Sequence, residues 1–284
     1  MLTHREIERY RADGYLVVDD VFSPSELQAL RTAADDPELG RKLDDKGYRE
    51  QGVHLLELTT HHAVFRELAR DARLTDRVAQ LIGADLQLQH SKLATKPPKV
   101  GAGEFRWHQD FPYFPHTNFD LLAIMVMLDD ATPENGCMSV VPGSHKLGPL
   151  SHLVDGYFDA GCQEPRHWAD SSRWATLTPR AGGISIHHCL TLHTSPNNTS
   201  GKPRRGLVFQ YRADDAAQLY SHVYADTGFQ VRGKRRGVIR FEPYSLQLPL
   251  QKGVDPAPAT PYFQVGAQAQ VWNRDEASES KRCA

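Results

Sequence analysis

The sequence predicts a mainly β protein, a barrel or sandwich of short strands with helices packed against its outside. Three observations carry this. The first ninety or so residues hold helix caps and helical periodicity; from about residue 85 the apolar pattern shortens into runs broken by Pro and Gly; and no helix is interleaved among those runs. At 284 residues, 40% hydrophobic and 24% charged, the chain is able to bury a full core, and no Pro/Gly/Ser-rich linker divides its middle. One domain over residues 1–284 is therefore expected, with a helical buttress to about 85, a barrel core over about 86–245 and a partly irregular tail over about 251–284.

Taken in order, Thr3 followed by Glu6 reads as a capping box opening a helix to about Arg11, which Gly14 stops. "GYLVVDDVF" reads as a strand, and "SPSELQALRTAADD" as a helix capped by Ser23 with Pro24 in its first turn. Residues 62–83, "HAVFRELARDARLTDRVAQLIG", read as one further helical stretch ended by Gly83. "DLQLQHSKLATK" and "DLLAIMVMLDD" then read as strands. Asn135-Gly136 signals a tight turn before the run "CMSVV", with a second turn at "PGSH". "GGISIHH", "RRGLVFQYRA" and "GVIRFEP" supply further strands, and from Gln251 the chain turns Pro- and Ala-rich and then polar.

A formal net charge of −2 gives no reason to expect a polyanionic partner, so nucleic acid is disfavoured. No apolar run is long enough to span a membrane, and the N-terminus reads as a capped helix rather than a basic stretch followed by an apolar one, so a cytoplasmic protein is expected. Cys137, Cys162, Cys189 and Cys283 show no C-x-x-C pairing and are expected as free thiols.

The chemistry concentrates in "RWHQDFPYF". On a strand over residues 104–110, His108 and Asp110 share one face, which is the geometry of a chelate, while Gln109 faces away. A third nitrogen ligand would complete a two-His-one-carboxylate face with open positions on iron(II). H-x-D alone is common by chance, so a structural pair remains the alternative at this point.

Downstream, "HTSPNNTSGKPRRG" follows, and with "TKPP", "HQDFPYFP" and "NGCMSVVPGSHK" in the same order the chain resembles the phytanoyl-CoA dioxygenase family of iron(II)- and 2-oxoglutarate-dependent oxygenases over roughly residues 85–215. The resemblance implies a double-stranded β-helix, the jelly-roll barrel of cupin-like proteins. It implies iron(II) ligation by His108, Asp110 and His193, and an arginine eleven residues past the distal histidine, Arg204, gripping the far carboxylate of 2-oxoglutarate with help from Ser195. Strand alternation sends Arg204 and Arg205 to opposite faces, and a guanidinium fork suits a carboxylate better than a lysine does. Lys92 and Met125 fall where relatives contact the co-substrate, although both also suit strand positions without a role.

The reaction implied consumes 2-oxoglutarate and O2, releases succinate and CO2 and hydroxylates, or otherwise oxidises, an unactivated C–H bond of a small-molecule substrate; Asp110 in place of a small residue argues against halogenation. Two alternatives stand beside it, a non-oxidative cupin-like metal enzyme and an acyl-CoA-specific hydroxylase, and oligomeric state is silent. His187 and His188 are expected as wall residues near His193. His61, His62, His116, His145 and His152 are expected to be solvent-facing or structural. Phe111, Tyr113 and Phe114 suit either a substrate entrance or the core, and the basic run 231–240 suits a solvated loop better than an anion-binding surface.

Overall fold

Thr3 and Glu6 exchange hydrogen bonds in a capping box that opens α1 (His4–Asp13), and Gly14 ends it at φ 82°. β1 (Tyr15–Val18) follows, then α2 (Pro24–Ala34), opened by the same device between Ser23 and Glu26. The computed structural model describes residues 1–44, 54–98, 103–220 and 224–250. The expected irregular tail from 251, with Cys283, lies outside the described residues. Three short elements before residue 62 went unanticipated: α3 (Pro37–Asp44), β2 (His54–Leu56) and α4 (Leu58–His61).

The single helical stretch expected over 62–83 is two helices, α5 (Ala63–Leu68) and α6 (Ala72–Ile82). The break has a local cause. The Asp71 carboxylate accepts from the Arg73 amide, which caps a new helix instead of continuing the old one.

β3 (Leu86–Lys96), β4 (Phe105–His108), β5 (Leu121–Met127) and β6 (Met138–Val140) lie where the sequence put strands; the small hairpin β7 (Leu153–Val154) and β8 (Tyr157–Phe158) and the short β9 (Ala175–Leu177) were not anticipated; β10 (Ile184–His188) was expected, β11 (His193–Ser195) was not, β12 (Arg204–Ala213) was, and β13 (Phe229–Arg232) was not. "GVIRFEP" is not a strand. Its Arg240 instead ties residues 237–243 to Asp120 and Asp215 and pairs with Glu242 inside the segment.

Two antiparallel sheets result, a major one in the order β1-β10-β5-β12-β3-β13, with β2 also on β3, and a minor one in the order β4-β11-β6-β9. They face one another across a cavity lined from both sides, as a jelly-roll barrel requires. The outer face of the major sheet, including Ile124, Val126, Ile186, Leu207 and Phe209, packs against Leu27, Phe65, Leu74 and Val78 of the helices in the largest apolar cluster. Burying each such side chain contributes about 1.5–3 kcal/mol. The inner face gives Met125, Met127 and Val208 to a second, smaller cluster that Met138 and Val140 of the minor sheet complete. Among the described residues no helix is long and apolar enough to cross a membrane.

One irregularity decides what faces inward. Gln210 pairs with His90, but the next residue of β12, Tyr211, pairs with Leu88, so Gln89 is an extra residue on β3. Leu86 and Leu88 lie in the outer cluster before it and Leu93 after it, leaving Lys92, Ala94 and Lys96 to face the barrel interior.

Candidate metal centre

His108 and His193 meet because their backbones are direct register partners between β4 and β11, with ring centroids 4.0 Å apart. Each ring is oriented by its far nitrogen. His108 Nδ1 donates to the Arg106 carbonyl at 2.7 Å and His193 Nδ1 to the Thr191 carbonyl at 2.9 Å. That leaves both Nε2 atoms unprotonated and pointing at Asp110 Oδ1, at 3.9 and 3.8 Å.

The ligand atoms of His108, Asp110 and His193 all lie within 4.8 Å of one another. Burial holds both imidazoles neutral by lowering their proton affinity. Burial alone would raise Asp110, but the hydrogen bond from His187 and the nearby charge of Lys92 hold the carboxyl well below its ordinary value. Two neutral nitrogens and a carboxylate are the forms a divalent metal needs, so the donor set fits iron(II).

The strand premise for this pair needs correction. β4 ends at His108, and Asp110 opens a one-turn 3₁₀ helix over Phe111–Tyr113 with helical backbone angles. The carboxylate reaches the site because the chain turns there, with the Phe111 amide bound to the Cys189 carbonyl. Nor is Gln109 an outward spacer. It is fully buried, donating to the Gly148 and Leu190 carbonyls and accepting from the Leu150 amide. His152 and His116 are buried too, so of the two roles expected for them only the structural one holds; His152 accepts from the Gln109 amide.

Arg204 enters the same cavity at 3% exposure, with Nη1 donating to the Gly136 carbonyl at 2.8 Å and to Ser195 Oγ at 3.2 Å. Its Nε is buried without a partner, and burial lowers its pKa to about 10, which leaves a cation at neutral pH. A buried guanidinium with unused donors is a costly group that a carboxylate ligand would complete. Arg205 points the other way, to Asp129 and Asp35. Lys92 and Met125 stand opposite Val208 on either side of it, and all three line the cavity. The Lys92 ammonium lies 5.3 Å from the centre of the Tyr224 ring.

Three contributors had not been singled out from the sequence. The Gly136 carbonyl accepts from both Arg204 and Ser195 Oγ, making the Asn-Gly turn part of the site. Gln210 donates to Asp110 Oδ2 at 2.5 Å, and its place on the inward face was readable from the alternation Arg204, Gly206, Val208, Gln210. Lys96, the register partner of Arg204, is buried and donates to the Ser195 and Pro196 carbonyls. His187 does lie beside the ligands, donating to Asp110 Oδ2 at 3.1 Å, whereas the ring of His188 accepts from the Leu190 amide. Phe111 and Phe114 are core; Tyr113 alone of that trio meets a metal-centre ring, edge-on to His108 at 5.6 Å. The arginines of the basic run are engaged away from the cavity, Arg232 with Asp76 and Arg236 with Asp85.

The phytanoyl-CoA dioxygenase family profile matches residues 10–206. A probable alpha-ketoglutarate-dependent hypophosphite dioxygenase of Stutzerimonas stutzeri is 30% identical over 227 residues, 74% of this chain and 78% of that protein. The methylphosphonate hydroxylase of Gimesia maris is 28% identical over 233 residues, 79% of this chain and 86% of that one. Among solved structures, EctD from S. alaskensis with bound Fe superposes with a TM-score of 0.64 at 25% identity, covering 85% of this chain and 87% of that one.

Proposed function

The chain belongs to the phytanoyl-CoA dioxygenase family of iron- and 2-oxoglutarate-dependent oxygenases, and from that premise we propose that His108, Asp110 and His193 hold the iron and that Arg204, with Ser195, holds the far carboxylate of 2-oxoglutarate. The single observation that carries this reading is the meeting of both devices in the lining of one cavity. Iron bound there supplies the oxidising chemistry, in which O2 and 2-oxoglutarate become succinate and CO2 and one oxygen atom is inserted into a substrate C–H bond.

The protein's own part is positional. Arg204 and Ser195 orient the co-substrate toward the three ligands, with Lys92 and Met125 as its wall. Phe105, Met138 and Val208 keep the remainder of the cavity apolar, which excludes water from the reacting bond. A non-oxidative cupin-like enzyme would have no use for a buried, carboxylate-free arginine beside the metal. An acyl-CoA substrate finds no support in the basic run, whose Arg232, Arg236 and Arg240 are already paired with carboxylates.

We read the helices and both sheets as one catalytic domain, because the helices cover the outer face of the sheet whose inner face carries the site. Three buried free thiols, Cys137, Cys162 and Cys189, suit a reducing compartment and support a cytoplasmic location. The substrate is a small molecule, and because two relatives are named for hypophosphite and methylphosphonate, small oxyanions open the screen, methylphosphonate offering a C–H bond and hypophosphite a P–H bond as the variant target.

The test is succinate release with iron(II), ascorbate and 2-oxoglutarate, with and without each candidate. Turnover that rises with one candidate supports the reading. Absence of any coupled or uncoupled turnover, together with no 2-oxoglutarate binding to the metal-loaded protein, overturns it.

A further inference from the structure

The two oxygens of Asp110 have different surroundings. Oδ1 faces both ligand nitrogens, at 3.9 Å from His108 Nε2 and 3.8 Å from His193 Nε2. Oδ2 is turned to the opposite sheet, where it accepts from His187 Nε2 at 3.1 Å and from Gln210 Nε2 at 2.5 Å. The donors come from the two strands that flank β5, in one row. Gln210 on β12 and His187 on β10 share a single register partner on β5, Ala123, which puts only a methyl group between them.

The proton positions follow from the acceptor. A carboxylate oxygen only accepts, so His187 carries its proton on Nε2, and Gln210 presents its amide nitrogen, since the reverse would set oxygen against oxygen. In consequence His187 Nδ1 and Gln210 Oε1 are buried acceptors with no partner. A buried acceptor left unpaired is unfavourable. A fold that tolerates both is giving up stability to keep two donors on one oxygen.

We propose that Gln210 and His187 are positioning residues that hold the outer oxygen of Asp110, so that the carboxylate meets the metal through Oδ1 alone. The inference rests on the metal-centre reading above and deepens it. A carboxylate gripping the metal with both oxygens would occupy a position that the co-substrate or oxygen needs, and a two-His-one-carboxylate site works by leaving positions open. With Oδ2 occupied twice by the protein, rotation into the two-oxygen mode would break both hydrogen bonds. The clamp also joins the sheets: the ligand belongs to the turn after β4, and its restraints belong to β10 and β12.

The experiment compares Gln210→Met, His187→Leu, His187→Gln and Asp110→Ala with the parent. Manganese(II) affinity is titrated under nitrogen, and the visible absorption of the anaerobic iron(II)–2-oxoglutarate complex is recorded. Gln210→Met and His187→Leu are expected to weaken manganese binding by about 10–100-fold and to shift the absorption band. His187→Gln, which returns an N–H donor at similar reach, is expected to restore both readouts toward the parent. In an Asp110→Ala background the clamp substitutions should add no further loss, because the group they act through is gone.

If Asp110→Ala abolishes metal binding while Gln210→Met and His187→Leu leave affinity and spectrum at the parent's values, the clamp is wrong and the metal centre stands. If Asp110→Ala binds manganese like the parent, the metal-centre assignment itself is wrong. Gln210→Met preserves side-chain volume, so it gives a reading even where His187→Leu fails to fold.

Discussion

At the scale of single residues, the two adjacent arginines separate co-substrate binding from surface stability. Arg204→Ala is expected to cost about 2–5 kcal/mol of 2-oxoglutarate binding, since it removes a buried cation from a charged partner. It should appear as a raised KM for 2-oxoglutarate with metal affinity retained. Arg205→Ala removes a half-exposed link to Asp129 and Asp35 and should leave that KM unchanged. The reverse pattern, read from succinate release over a 2-oxoglutarate series, would overturn the assignment of Arg204. Much at this scale was legible, because fixed intervals between a few chemically distinctive residues survive any uncertainty about secondary structure. Gln109 was not legible: its partners Gly148, Leu150 and Leu190 are 39 to 81 residues away, and nothing local marks a glutamine that crosses a core.

Among the elements, the turn at Asn135-Gly136 carries more than chain reversal. Gly136 sits at φ 76°, and a Cβ there would lie 2.3 Å from the Pro196 carbonyl oxygen. Gly136→Ala should therefore destabilise the fold by about 1–3 kcal/mol and, by moving the carbonyl that orients Arg204 and Ser195, weaken 2-oxoglutarate binding as well. Denaturant unfolding and 2-oxoglutarate titration on the same sample check both halves; an unchanged titration would remove Gly136 from the site. The capping box at Thr3, the helix start at Ser23-Pro24 and the alternating β12 read correctly because each signal is complete within a few residues. The split at Asp71 and the end of β4 before Asp110 did not, since there a side-chain bond and a turn override an unbroken apolar pattern.

For the molecule as a whole, burying charge in the barrel shows in the pH dependence of its stability. Burial, aided by the charge of Arg204, lowers Lys96 from its ordinary 10.5 to about 7. Below pH 7 both folded and unfolded chains hold that proton and the cost is fully present. Between about 7 and 10.5 the unfolded chain holds a proton the folded one has released, so stability rises with pH across that window. Melting temperatures from neutral pH to pH 9.5 should rise more steeply for the parent than for Lys96→Met, and parallel slopes would contradict this origin.

Lys96 is inside at all because of the extra residue at Gln89. Sequence drift therefore meets two unequal hazards along β3. A substitution at one site alters one contact, and loss of the extra residue itself would only regularise the ladder, but loss of a single codon past it, at Ser91, reverses the facing of every residue beyond, turning Lys92 and Lys96 out to the helices and Leu93 and Thr95 in toward the metal. For this strand, length is inherited more strictly than composition. Descendants of such a gene can explore new substrates by exchanging side chains around the cavity, while insertions and deletions between His90 and Lys96 are closed to them.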